Sequence, residues 1–319
     1  MTHYDVFNGD ADGICALHQL RLAYPRDSQL ITGVKRDITL LERVVAKPGD
    51  RVTVLDISLD KNREALLALL EGGARVVYFD HHFPGDIPAH LGFDAHIDRA
   101  PDICTSLLVD RFLQAQYRIW AVVGAFGDNL HKAARRAAEP LQLNADQLDA
   151  LQSLGECLNY NSYGETLADL HFPPDELYRL LHSYTDPFAF ITEAPALQQL
   201  QQGYAEDMAK AGALQPEMVT EACALYILPD EAWSRRVSGS FGNRLAQSWP
   251  NRAHAILTRR SNGYTVSVRA PLTAPTGADD LCRRFDSGGG RKAAAGINCL
   301  PETKVVEFVE EFRAAWCSV

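Results

Sequence analysis

Three times in its first 82 residues the chain runs an apolar segment into an acid or a histidine and then turns away from it. Residues 4–7 lead into Asn8-Gly9-Asp10-Ala11-Asp12-Gly13. Residues 51–58 close through Leu55-Asp56-Ile57-Ser58, and Val76-Val77-Tyr78-Phe79 stops at Asp80-His81-His82, just before Phe83-Pro84-Gly85. Runs of β-branched and aromatic residues read as buried strands. Between them the period is helical. Residues 13–24 put Ile14, Leu17, Leu20 and Leu22 on an apolar side, and residues 60–71 carry Leu66, Leu67, Leu69 and Leu70 ahead of Gly72-Gly73. Strands joined by helical connections form a parallel sheet, because parallel neighbours need a crossover. We therefore expect an α/β chain built on a doubly wound parallel sheet, with residues 29–34 as a further strand. Its polar residues would then lie at the carboxyl ends of strands, where open sheets keep their ligand crevices.

Downstream the pattern becomes helical. Residues 103–117 are amphipathic, residues 120–129 form an apolar run ending in Gly127-Asp128-Asn129, and helices should fill 145–212. Within them the polar stretch Asn159-Tyr160-Asn161-Ser162-Tyr163-Gly164 reads as a loop or a broken helix whose amides and aromatics could stack a base. From residue 222 strands return at 224–228, 253–257 and 264–269, with Asn262-Gly263 as a hairpin turn. Gly288-Gly289-Gly290-Arg291-Lys292, a strand at 297–300 and a helix at 302–316 complete a second, smaller α/β domain. The expected division is 1–190, a helical linker at 191–222, and 223–319, with a cleft between the two domains.

Composition narrows the partners. The net charge is −10, which argues against tracking a long polynucleotide or duplex DNA, since phosphate neutralisation dominates such binding. A short phosphorylated ligand remains compatible with it. The seven cysteines are scattered without a CxxC pair, so neither a disulfide framework nor a thiolate zinc site is expected. No stretch of 18 apolar residues and no basic-then-apolar leader is found, which reads as a cytoplasmic protein away from membranes. Oligomeric state is left open.

Asp10, Asp12, Asp56, Asp80 and Asp128 would repel one another if they converged without a cation, as would any four of them. With His81 and His82 they make a mixed oxygen and imidazole set that suits Mn²⁺ better than Mg²⁺ alone. Two such ions about 3.5–4 Å apart stabilise both the attacking and the leaving oxygen of a phosphoryl displacement. In the second domain, three consecutive glycines let backbone N–H groups approach an anion. Arg291 and Lys292 add charge there as a helix is expected to begin, and Arg269, Arg283 and Arg284 lie nearby in sequence.

The ordered set Asp10-Ala11-Asp12-Gly13, Leu55-Asp56-Ile57-Ser58, Asp80-His81-His82 and Gly127-Asp128-Asn129 resembles the DHH phosphoesterase family. Gly288-Gly289-Gly290-Arg291 through Ala295-Gly296 is similar to the glycine motif of the associated DHHA1 domain. The resemblance implies a metal-dependent hydrolase. Its relatives include nanoRNases, adenosine bisphosphate phosphatases, cyclic-dinucleotide phosphodiesterases, RecJ-type exonucleases and, more distantly, pyrophosphatases. By position it implies that Asp56 bridges two metals, that Asp10 holds one, and that Asp12, His81 and Asp128 hold the other. It further implies that Asp80 orients His81, and that His82 meets the scissile phosphate or protonates the leaving oxygen. Substrate would be held by Arg269, Arg284, Gly288, Gly289, Gly290, Arg291 and Lys292.

Two positions depart from the family pattern. Val6 stands where a histidine usually ligates the Asp10 metal, leaving Asn8 or water to supply an oxygen and predicting a weak or absent ion there. Arg291 stands where the three glycines are usually followed by histidine; it keeps a phosphate fork but cannot shuttle a proton near neutral pH. The expected activity is Mn²⁺-dependent hydrolysis of dinucleotides or short oligonucleotides to mononucleotides. The alternatives are an adenosine 3′,5′-bisphosphate phosphatase, a cyclic-dinucleotide phosphodiesterase, a RecJ-like single-strand exonuclease, and a nucleotide sensor with weakened catalysis.

Overall fold

In the computed structural model, which describes residues 1–317, the strands of the amino-terminal half lie in one all-parallel sheet. β1 (His3–Phe7), β2 (Gln29–Ile31), β3 (Arg51–Leu55), β4 (Arg75–Asp80) and β5 (Phe93–Ile97) take the order β2-β1-β3-β4-β5. The reversal of direction on either side of β1 is the switch point of a doubly wound sheet. Side chains alternate across it. Val6, Val52, Val54, Val76 and Tyr78 pack on Leu66, Leu69 and Leu70 of helix α2 (Arg63–Glu71), while Phe7, Leu55 and Phe79 pack with Ile14 and Leu17 of α1 (Ala11–Ala23). Each such side chain, fully buried, contributes about 1.5–3 kcal/mol. Asp5 is also buried on the α1 side, and there its carboxylate accepts from both Nε and an Nη of Arg21.

Six helices follow β5 and join the α1 core: α3 (Thr105–Phe112), α4 (Arg118–Gly127), α5 (His131–Ala138), α6 (Ala145–Tyr160), α7 (Pro174–His182) and α8 (Pro187–Glu193). The chain divides into two compact units, Met1–Gln202 and Gly203 onward, and α9 (Pro195–Ala213) carries it across that boundary. β5 was not anticipated from the sequence; its Phe-Asp-Ala-His-Ile run is only half buried and lies at the sheet edge. β2 and β3 end three residues earlier than the apolar pattern suggests.

The second unit has its own six-stranded sheet, ordered β10-β11-β9-β8-β7-β6. Its elements are β6 (Met218–Val219), β7 (Cys223–Leu228), α10 (Ala232–Ser248), β8 (Ala253–Arg260), β9 (Gly263–Arg269), α11 (Ala278–Cys282), β10 (Gly288–Arg291), β11 (Ala294–Leu300) and α12 (Val305–Trp316). β7 and β8 are parallel and the other pairs antiparallel. The Asn262-Gly263 hairpin is present, with Gly263 at φ +133°.

Two expectations need correction. Arg291 and Lys292 do not open a helix: Gly288–Arg291 is a strand paired antiparallel with β11, and Lys292 lies in the turn between them. Glycine permits that pairing, since a Cβ on Gly290 (φ +143°) would lie 2.5 Å from the Ala295 Cα. Cys223 and Cys317 are joined as a disulfide, their Cα atoms 5.8 Å apart although 94 residues separate them. Spacing in the sequence carries no trace of such a long-range pairing. Among the described residues no helix is long and apolar enough to cross a membrane.

Candidate metal centre

The carboxyl ends of β1, β3 and β4 deliver three of the four acidic motifs to one place. Asp10 is the N-cap of α1, accepting the Gly13 N–H at 3.0 Å through Oδ1. A side chain on Gly13 would run into the Asn8 carbonyl oxygen, so the helix can start this close to β1 only with glycine there. Asp12 lies in the first turn and points at the start of α3. Its carboxylate accepts the N–H of Thr105 at 2.7 Å, the N–H of Ser106 at 2.8 Å, and the Ser106 hydroxyl. Orphan amides at a helix start thus fix a carboxylate from another element. Asp56 follows β3 with φ +60°, a backbone region costly for a non-glycine residue and concentrated at functional sites. It is 2% exposed, and its Oδ1 accepts from the Thr105 hydroxyl at 3.0 Å.

Asp128 arrives differently. The residues before it are helix α4, so it caps a helix carboxyl end, whereas Asp10, Asp56 and Asp80 come from strand ends. Continuous apolar runs do not distinguish a buried helix from a buried strand.

The two histidines diverge as strand geometry requires. The Nδ1–H of His81 donates to the Ile103 carbonyl at 3.0 Å, which turns Nε2 towards Asp56 Oδ1 at 3.4 Å and Asp128 Oδ2 at 4.0 Å. Asp80 does not orient His81, in contrast to the role the resemblance implied. Its Oδ1 accepts the Nδ1–H of His82 at 2.7 Å instead, because the two imidazoles leave the strand on opposite sides. A backbone carbonyl does for His81 what Asp80 does for His82: it fixes the tautomer and leaves Nε2 facing out.

Ligand atoms of Asp12, His81 and Asp128 lie within 4.8 Å of one another, and so do those of Asp56, His81 and His82. Carboxylates and imidazoles mixed at this spacing fit a divalent cation of the Mn²⁺ type. The electrostatics fit as well. Burial, together with the charges of Asp10 and Asp12, pushes the Asp56 carboxyl well up. Burial and the same two neighbours lift Asp128 to about 6. Burial works against a charged His81, but its hydrogen bond to Asp56 and the surrounding acids outweigh that and raise it to about 10. A cation here would relieve carboxylate repulsion and displace the imidazole proton.

Lys35 was not picked out from the sequence, and it changes half of the centre. Its Nζ donates to Asp10 Oδ2 at 2.5 Å and to Asn159 Oδ1 at 3.1 Å, stands 3.8 Å from Asp128 Oδ1, and lies over the Tyr163 ring. The strand-end rule that located the aspartates applies to it too, since it follows the apolar run at 29–34. Asn8 does not supply the missing oxygen: its Oδ1 accepts the Asp10 N–H at 3.2 Å and its Nδ2 donates to the Lys35 carbonyl at 3.3 Å. His131, the remaining histidine near the motif, lies beside Asn129 at 3.0 Å.

In the second unit the expected anion contacts separate into two groups. Arg269 is engaged by Asn243 Oδ1, Ser267 Oγ and the Gly239 carbonyl, Arg284 pairs with Glu311, and Arg283 pairs with Asp279. Arg291 and Lys292, beside Gly288, Gly289 and Gly290, are exposed and make no ion pair among the described residues.

No protein-family model and no curated protein sequence matches the chain. Solved structures do. A manganese-bound RecJ exonuclease aligns over 98% of this chain and 89% of its own with 20% identity and a TM-score of 0.59. RecJ from Thermus thermophilus in complex with Mn²⁺ aligns over 98% of this chain with 19% identity and a TM-score of 0.59; this chain spans 52% of that protein, about half its length. A pGpG-specific phosphodiesterase from Vibrio cholerae aligns over 99% and 98% of the two chains with 12% identity and a TM-score of 0.55. The chain has the fold these proteins share.

Proposed function

We propose that this protein is a Mn²⁺-dependent phosphodiesterase that hydrolyses dinucleotides or very short oligonucleotides to mononucleotides. The observation that carries the reading is that Asp12 and Asp128 on one side, and Asp56 and His82 on the other, each bring ligand atoms within 4.8 Å of those of His81, from distant stretches of sequence. A divalent cation held there supplies Lewis-acid stabilisation to phosphoryl displacement and lowers the pKa of an attacking water. The protein's own residues do the rest. Asp12 is locked by the start of α3, so one ligand needs no reorganisation when substrate arrives. His81 presents Nε2 because Ile103 holds Nδ1. His82 is oriented by Asp80, and its half-exposed ring would protonate a leaving oxygen. Arg291 and Lys292 hold a phosphate of the substrate that is not being cleaved. Fold likeness to a pGpG-specific enzyme and to exonucleases supports the choice of phosphodiester substrates.

Incubation with Mn²⁺ and a panel of linear dinucleotides, cyclic dinucleotides, adenosine bisphosphate and longer single strands tests this. Linear dinucleotides should be the fastest, and Asp56→Ala should abolish turnover together with Mn²⁺ binding. A Mn²⁺-loaded protein that cleaves none of them, or an Asp56→Ala variant that retains activity, would overturn the reading.

A further inference from the structure

We propose that the Lys35 ammonium takes the place of the second divalent cation, so that the centre works with one Mn²⁺ and one built-in positive charge. The inference rests on the phosphodiesterase reading above and departs from the two-metal arrangement that the motif resemblance implies. Three independent features of the Asp10 side carry it.

The Asp10 carboxylate already faces a cation. One of its oxygens accepts the Gly13 N–H and the other accepts Lys35 Nζ at 2.5 Å. Among the described residues, the two clusters of three or more metal-ligating atoms both leave Asp10 out. The residue that would complete a site there is Val6, a wholly buried side chain with no ligating atom. The donor set on this side therefore does not fit a resident divalent ion.

Lys35 is also not a mobile surface lysine that drifts towards the nearest acid. Its backbone N–H donates to the Ser162 carbonyl at 2.9 Å and its carbonyl accepts from Asn8 Nδ2. Its side chain is 25% exposed, held by Asp10, Asn159 and the face of Tyr163. An ammonium has three N–H donors, and Asp10 and Asn159 take two. No third acceptor is hydrogen-bonded to it among the described residues, and the Asp128 oxygen at 3.8 Å is beyond hydrogen-bond reach. The third donor is available to a phosphate oxygen, where it would add the fixed charge a second metal otherwise contributes. Asn159 and Tyr163 then have a defined purpose: they position the lysine.

The test is metal stoichiometry, which does not depend on turnover. Calorimetric titration of the chelator-treated wild-type protein with Mn²⁺ should give one tight ion per chain, with any second ion weaker by about a hundredfold, the upper range for a disrupted ligand shell. Electron paramagnetic resonance at saturating Mn²⁺ should show an isolated ion. Two ions binding within about tenfold of each other, with a spin-coupled spectrum, would overturn the inference. The double substitution Val6→His with Lys35→Ala should bring in the second ion and the coupled signal, whereas Lys35→Gln alone should keep the single tight ion and lower kcat. A Lys35→Gln protein with unchanged kcat counts against the lysine's role at the phosphate. Wild-type protein that binds one uncoupled Mn²⁺ yet cleaves no phosphodiester would refute the proposed function and leave this inference standing; two coupled ions with rapid cleavage would do the reverse.

Discussion

Asp128 and His81 set the pH behaviour of the metal-free protein. Asp128 is lifted from 3.8 to about 6 and His81 from 6.5 to about 10. Both hold a proton more tightly when folded, so both favour the folded state at low pH. The Asp128 contribution is complete below 3.8 and lost as pH rises through 6; that of His81 is complete below 6.5 and lost as pH rises through 10. This is the opposite of the usual carboxylate case, because here the acid is buried and sits beside Asp12 and Asp10. Metal-free protein should therefore unfold at a lower temperature near pH 8 than near pH 5.5, and Mn²⁺ should raise Tm more at the higher pH, where fewer protons compete. Thermal unfolding with chelator and with Mn²⁺ checks it. Asp128→Asn should flatten the acidic part of that slope, and an identical slope in the variant would remove Asp128 from the account.

Among the elements, α3 and the β10–β11 hairpin do the positioning. The start of α3 binds the Asp12 carboxylate through two amides and a hydroxyl, and Thr105 on the same turn donates to Asp56. One helix start thus sets the spacing of two candidate ligands. The hairpin carries exposed Arg291 and Lys292 on a glycine strand whose backbone lies close against its neighbour. Arg291→Ala should raise the KM for dinucleotides about tenfold, equivalent to about 1.4 kcal/mol, one lost phosphate contact. Mn²⁺ affinity should be unchanged, since every candidate ligand named above belongs to the first unit. A parallel loss of metal binding would show that the substitution damages the fold and not the contact.

At the scale of the whole molecule, charge is the ground for the proposed limit on substrate length. The net charge is −10, and among the described residues Arg269, Arg283 and Arg284 of the five basic residues expected to meet phosphate are committed to internal ion pairs or hydrogen bonds, while Arg291 and Lys292 are exposed without an ion pair. Two phosphate contacts on a single strand give a salt slope of about −1.4, shallow beside that of a long-strand binder. Catalytic efficiency should fall as substrates lengthen beyond a few nucleotides, and KM for the dinucleotide should respond only weakly to salt. Rates on a ladder of single strands at two ionic strengths measure both. Efficiency that holds or rises with length would favour RecJ-like action on long strands.

Local pattern was enough to determine the parallel sheet, the strand-end positions of Asp10, Asp56 and Asp80, and the second α/β unit. Periodicity and chain punctuation are properties of neighbouring residues, and they fix which way each strand end points. What only the tertiary structure decided are meetings between distant segments. Lys35 reaches Asp10 and Asn159 from 25 and 124 residues away, α3 anchors Asp12, and Asp80 supports His82 in place of His81. Arg269, Arg283 and Arg284 find internal partners, and Cys223 finds Cys317. Asp128 joins the acids from a helix end. Each depends on which side chains share a volume once the core has closed, and a free energy of that kind is not written in any single stretch of the chain.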